Sequence, residues 1–269
     1  MGKKRRRLYE DSSAEDTSAH VVNGVDKMNW TFESMPPHLK KYWAARYSLW
    51  SRYDSGIVMD EEGWYSVTPE AVGRYITDRC AGVIDSRLGE GASLTSTVVD
   101  AFCGAGGNAI QFAARFGKVI AIDIDETRLR CAKENARIYG VSDRIEFIHA
   151  NYLDILPTLN PKPAVIFLSP PWGGPSYRSQ ATFQLSSIEV APSKSSSVPV
   201  GGYELIQRSL PPQCDMCMFY APRNSDVAEL STALGNSSDG NSGVGVNVEI
   251  ERVFLNGRDK VLLGISVRQ

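Results

Sequence analysis

The sequence predicts an α/β protein: a doubly wound, mostly parallel sheet with a C-terminal antiparallel hairpin, preceded by an N-terminal helical extension. Three observations predict it. Runs rich in β-branched residues at 97–102, 118–122, 144–148 and 164–169 alternate with helical stretches, as strands joined by crossover helices do. A glycine-rich loop, Cys103 to Asn108, follows the first of those runs. Two last runs, 246–255 and 260–267, flank Asn256-Gly257, a dipeptide suited to a hairpin turn.

Composition sets the limits. A chain of 269 residues holds one large α/β domain and an extension, at 42% hydrophobic and 22% charged content, which is ordinary globular usage. A net charge of −2 excludes a protein that coats nucleic acid through bulk electrostatics, so any such contact is expected at one local point. Five cysteines, an odd number with no signal peptide ahead of them, predict a reducing compartment and no disulfide framework. No apolar run approaches the ~18 residues that span a bilayer, so no membrane is expected and the chain reads as soluble and intracellular.

In chain order, residues 1–28 are polar and open with Lys3-Lys4-Arg5-Arg6-Arg7; they predict a disordered tail, with or without a nuclear address. Residues 29–96 form the predicted extension. Leu39, Trp43, Tyr47, Trp50 and Tyr53 recur at helical spacing, giving one amphipathic helix with an aromatic stripe. That helix either packs its aromatics and solvates Lys40, Lys41, Arg46 and Arg52, or closes over a site as a lid. Thr68 followed by Pro69 predicts an N-cap and first turn for a helix over 69–80. The main domain is expected over 97–269. There a short helix spans 109–116, and another spans 126–139 with Gly140 closing it. Residues 175–201, rich in serine and proline, predict a mobile loop with a short helix near 182–187. Helices at 203–209 and 225–234 flank a strand over 214–220.

The loop Gly104-Ala-Gly-Gly-Asn-Ala109 satisfies G-x-G-x-x-A, so a dinucleotide must be weighed. Asp100, just before the loop, would repel a pyrophosphate but suits the ammonium and sulfonium of S-adenosylmethionine. Asp123, at the end of the second strand, is placed for ribose hydroxyls. The stretch Ser169-Pro170-Pro171-Trp172-Gly173-Gly174 adds a stiff corner, with two fixed φ angles beside an indole. Fixed carbonyl acceptors next to a flat ring suit a nucleobase carrying an N–H₂. Cys214-x-x-Cys217 has no second pair, and on a strand its members would face opposite ways; a buried, inert pair is expected, and no metal site.

Together D-A-F-C-G-A-G-G-N (100–108), I-D-I-D (122–125), S-P-P-W-G-G-P (169–175), E-G-W-Y-S-V-T-P-E (62–70), K-Y-W-A-A-R-Y (41–47) and Pro222-Arg223-Asn224 resemble the trimethylguanosine synthase family. The resemblance covers about 40–267. It implies a Rossmann-like S-adenosylmethionine-dependent methyltransferase acting on the exocyclic N2 of 7-methylguanosine (m7G) caps of small nuclear and nucleolar RNA (snRNA, snoRNA). It implies that Ser66, Thr68, Asp100, Gly104, Asn108, Asp123, Asn151 and Pro171 hold the cofactor. Ser169 and Pro170 would hold the amino group, Trp172 would stack on the guanine, Trp50 would lie over the base, and Lys41, Arg223 and Asn224 would meet the cap. Asn151 stands where many relatives carry Asp, and its carbonyl can still accept from adenine. A nuclear monomer, in part nucleolar or cytoplasmic and recruited by snRNP or snoRNP core proteins, is the matching expectation. Alternatives are a guanine-N2 or adenine-N6 methyltransferase on internal sites, a non-catalytic cap binder, and a dinucleotide oxidoreductase.

Overall fold

The computed structural model describes residues 31–33, 35–235 and 245–269, with the backbone of 21–22 and 25–26. The basic run 3–7 lies outside the described residues. Val21–Val22 pairs antiparallel with Val25–Asp26, an ordered exception within the predicted tail.

Seven strands form the main sheet: β1 Thr97–Asp100, β2 Lys118–Asp123, β3 Ile145–His149, β4 Val165–Leu168, β5 Met216–Pro222, β6 Val246–Leu255 and β7 Arg258–Arg268. Their spatial order is β6-β7-β5-β4-β1-β2-β3. The first five are parallel, and β7 pairs antiparallel with both β5 and β6. The chain winds outward through β2 and β3, then returns to β4 on the other side of β1. That reversal opens a crevice at the carboxyl ends of β1 and β4, where open α/β sheets bind ligands.

Alternate strand residues divide into two cores because side chains alternate across a sheet. Val98, Val119, Val165, Phe167, Met218 and Leu263 pack with the N-terminal extension and with α4 (Glu70–Leu88), α5 (Gly107–Arg115) and α6 (Glu126–Tyr139). Val99, Ile122, Ile166, Leu168, Phe219 and Leu262 pack with α7 (Tyr152–Ile155), α8 (Gly202–Ser209) and α9 (Val227–Gly235).

The extension departs from its expected single helix. It breaks into α1 (Lys40–Ala44), α2 (Arg46–Leu49), a 3-10 turn at Tyr53–Ser55 and α3 (Gly63–Ser66). The breaks let Trp43, Tyr53 and Trp64 contact one another, with ring centroids 5.7–5.9 Å apart. Thr68 does not cap α4 either: the N-cap position falls on Pro69, and Thr68 Oγ1 accepts from Asn108 Nδ2 at 3.0 Å instead. Helix α4 runs eight residues past its predicted end, to Leu88.

Three polar fastenings hold the extension on the main domain. Asn135, fully buried on α6, accepts from Val58 N and donates to the carbonyls of Val58 and Ala105, each at 2.9 Å. Arg128 pairs with Asp60 at 3.1 Å and with Glu62. Glu70 accepts from Ser51 N, Ser51 Oγ, Tyr139 Oη and Arg74. In these three fastenings the buried polar groups are paired with one another.

Residues 175–201 are not the loose loop that their serines suggest. Glu189–Val190 pairs with Val200–Gly201, and Phe183, Leu185, Ile188, Val190 and Val200 are buried in the second core. The cysteines stay free and buried. Cys214 and Cys217 share one core face, because Cys214 precedes β5 and its thiol turns to the Ser209 carbonyl at 3.2 Å. No helix among the described residues is long and apolar enough to cross a membrane.

Candidate active site

A cavity of about 380 Å³ opens at the crevice, between the extension and the carboxyl ends of β1, β2 and β4. Such a volume suits a small-molecule ligand. Its two ends differ in chemistry.

One end is built on the glycine loop. Gly104 has φ +51° and Gly106 φ +91°, both in the left-handed region that only glycine enters freely. A Cβ on Gly104 would meet nothing within 4 Å, so the backbone there faces open space that a ligand can enter. A Cβ on Gly107 would come within 2.8 Å of Val67 Cγ2, so that glycine admits the extension. Asp123 is 7% exposed and lines the cavity; its oxygens accept from Gly104 N and Asp125 N at 2.8 and 2.9 Å. Burial raises its pKa, opposed by those two N–H groups.

Asp100 lies behind the loop, fully buried, and neither carboxylate oxygen has a hydrogen bond among the described residues. Burial pushes its pKa up to about 7. The N–H groups of Phe102 and Ala109 oppose the shift without reaching bonding geometry, and the charge of Asp123 adds to it. Asn108 Oδ1 is likewise buried without a partner. Asn108 lines the cavity, whereas Asp100 does not and sits behind that wall. Unpaired acceptors in and just behind a cavity wall cost free energy until a cation or donor meets them. The ammonium end of S-adenosylmethionine supplies both, so the residues fit that cofactor. Ser66, Thr68, Asn151 and Pro171 also line the cavity. Asn151 caps α7 through Leu153 N and donates to the carbonyls of Ala191 and Pro192. Its amide nitrogen is therefore engaged, and its Oδ1 already accepts from Leu153 N at 2.9 Å.

The other end is aromatic. Trp172 stacks on Tyr220 (centroids 5.3 Å, 18° between planes) and meets Tyr177 edge-on at 5.2 Å. Its Nε1 is buried without a partner among the described residues. Ser169 Oγ donates to the Phe102 carbonyl at 3.3 Å, tying the Ser169-Pro170 corner to the cofactor loop. Ser169, Pro170, Trp172, Tyr177 and Tyr220 all line the same cavity.

Four expected substrate residues stand elsewhere. Trp50 is 1% exposed, packs against Tyr139 and donates Nε1 to Met59 Sδ at 3.1 Å; it has no face left for a base. Asn224 lies outside the cavity lining, and its amide donates to the carbonyls of Tyr177 and Gln180, so it pins the turn that carries Tyr177. Lys41 and Arg223 are exposed and do not line the cavity; Lys41 Nζ sits 4.8 Å from the ring centre of Tyr42, which does. Besides Arg128, which is ion-paired with Asp60 and Glu62, two cations that sequence reasoning missed line the cavity: Arg178 and Lys260. Arg178 follows the glycine pair after Trp172, and a basic residue in that turn was the available signal. Lys260 had none, since its strand lies far along the chain.

The profile of the RNA cap guanine-N2 methyltransferase family matches residues 95–265. The chain belongs to this family. It is an enzyme that moves a methyl group from S-adenosylmethionine to the N2 of a cap guanine. Relatives extend the match into the extension. Trimethylguanosine synthase of Schizosaccharomyces pombe is 36% identical over 201 residues, 73% of this chain and 76% of that protein. The Saccharomyces cerevisiae trimethylguanosine synthase is 33% identical over 199 residues, 72% of this chain and 58% of that protein. A crystal structure from Porphyromonas gingivalis W83 superposes with a TM-score of 0.55 at 16% identity, over 87% of this chain and 51% of that one, a likeness of fold alone. The cavity thus has a polar end on the glycine loop and an aromatic end at the proline corner.

Proposed function

We propose that the chain converts m7G caps of small nuclear and nucleolar RNA into 2,2,7-trimethylguanosine by two successive transfers to N2. The observation that carries this reading is the Trp172–Tyr220 stack beside the Ser169-Pro170 corner, in one cavity with Gly104 and Asp123. N7-methylation makes the purine cationic. Stacking it on an indole adds a cation–π attraction of about 0.5–2 kcal/mol, which favours m7G over unmethylated guanine.

The bound cofactor supplies an electrophilic methyl on a sulfonium. The chain supplies alignment. Guanine N2 is a weak nucleophile because its lone pair is shared with the ring. Acceptors of Ser169 and Pro170 turn the N–H₂ towards tetrahedral geometry and aim its lone pair, so positioning is the main source of rate. No side chain of the aromatic end is placed as a general base, and the proton leaves to water after attack. Asp100 balances the positive charge of the amino-acid end, and Asp123 accepts from the ribose. Arg178 and Lys260, joined by Lys41 and Arg223 from the rim, meet the cap phosphates.

The enzyme is taken to act as a monomer. A nuclear site of action, with part of the population nucleolar or cytoplasmic, and recruitment by snRNP or snoRNP core proteins follow from the substrate class. The test uses labelled S-adenosylmethionine and m7GpppG, with product mapping by mass spectrometry. Mono- and then dimethylation at N2 of the m7G base is expected. Methyl groups on the second guanine, or only on internal RNA positions, would favour an internal methyltransferase instead.

A further inference from the structure

We propose that the tip of the β6–β7 hairpin, carrying Arg252, Phe254 and Arg258, is the surface on which the first nucleotides beyond the cap lie. The inference rests on the cap-methylation reading above and extends it to the body of the RNA.

Phe254 is 58% exposed, while its neighbour Val253 is 4% exposed and Leu255 packs on the first core. The strand register shifts between Val253 and Phe254, a bulge of the kind that re-aims a side chain at a functional edge. Across the ladder Phe254 faces Asp259, whose Oδ2 accepts from Arg252 at 2.9 Å. Arg252 also reaches the Arg223 carbonyl at 3.4 Å, so the hairpin and the end of β5 form one rim. With Asp259 neutralised, Arg223, Arg258 and Lys260 remain without an ion pair among the described residues. On a chain of net charge −2 this is local positive charge around an exposed flat ring.

The tip is continuous with the cap cavity. Leu255, Lys260 and Val261, on either side of the turn, line it. A capped strand leaving the cavity therefore meets guanidinium groups suited to phosphates and an aromatic face suited to one unpaired base. On the extension, the Arg46 guanidinium lies over the rings of Trp43 and Tyr47 and the Tyr47 hydroxyl is bound to Asp54, so these aromatic and guanidinium groups are already engaged with one another. That leaves the hairpin as the favoured exit.

The test compares kcat/KM of the full chain on m7GpppG and on an m7G-capped oligonucleotide of about ten residues, at low and high salt. The unaltered protein is expected to use the oligonucleotide about tenfold better, the worth of one stacked base with a phosphate contact. Phe254→Ala and Arg258→Ala should each remove most of that gain, leave m7GpppG turnover and the melting temperature unchanged, and in the arginine variant reduce the log–log salt slope by about 0.7. Equal use of both substrates by the unaltered protein would overturn the hairpin assignment while leaving cap methylation standing. So would a variant that lowers both rates together, as expected were the tip structural or a docking point for protein. Failure to methylate either substrate would overturn both readings.

Discussion

The two ends of the cavity are made by different means. The cofactor end is polar, sits on strand ends and a glycine loop, and is backed by buried acceptors with no partner among the described residues: Asp100 Oδ1 and Oδ2 and Asn108 Oδ1. The guanine end is aromatic and assembled from segments far apart in sequence, with Tyr42, Trp172, Tyr177 and Tyr220 on its walls and exposed cations at its rim. The first end is pre-strained towards a cation. The second offers surface and stacking, which tolerate more variation. Substitutions should therefore separate the two ends cleanly.

The largest effect is expected at Asp100. Asp100→Asn should weaken S-adenosylhomocysteine binding by about 2–5 kcal/mol, roughly thirtyfold or more, with cap-analogue binding retained. In the unaltered protein the carboxyl titrates near pH 7, so cofactor affinity should be full above pH 7 and fall about tenfold per pH unit below it, a slope absent in the variant. Stability moves the other way. The folded pKa stands above the ordinary 3.8, so the folded state binds the extra proton and unliganded stability is lost as pH rises from about 4 to 7. Asp100→Asn should consequently melt higher than the parent at pH 8. Calorimetric titration and thermal melts across pH check all three; a variant that loses cap binding as well would break the division into two ends.

Next in size is Trp172→Ala, expected to raise the cap-analogue Kd about 10- to 100-fold with S-adenosylhomocysteine affinity unchanged. Arg178→Ala should raise KM for m7GpppG roughly fivefold at low salt and less at high salt, with kcat kept. The smallest functional effect belongs to Trp50→Phe. A loss of about 1 kcal/mol in stability is expected, with KM for the cap unaltered. A selective rise in that KM would return Trp50 to the substrate.

The same contrast explains what the sequence could reveal. Helix α6 was legible at both ends, because Asp125 caps Thr127 N and Arg128 N and Gly140 takes φ +73°, both local chemistry. The glycine loop and the proline corner were legible for the same reason. Trp50 was not. Helical spacing shows that aromatics share a face but not whether that face meets a ligand or Tyr139. Thr68 has the chemistry of a cap, yet Asn108, forty residues on, takes its hydroxyl. Asn224 was misplaced because nothing local says that its amide is spent on Tyr177 and Gln180. The serine-rich stretch 175–201 hid five buried apolar residues spaced too irregularly for a periodic reading.

The central claim is that one cavity sets a purine on Trp172 with its amine facing the methyl donor. A crystal structure with m7GpppG and S-adenosylhomocysteine tests it most directly. The methylated ring is expected parallel to the indole, on the face away from Tyr220, with N2 near Ser169 and Pro170 and turned to the cofactor sulfur. A purine bound on any other surface, or an amine directed away from that sulfur, would contradict it.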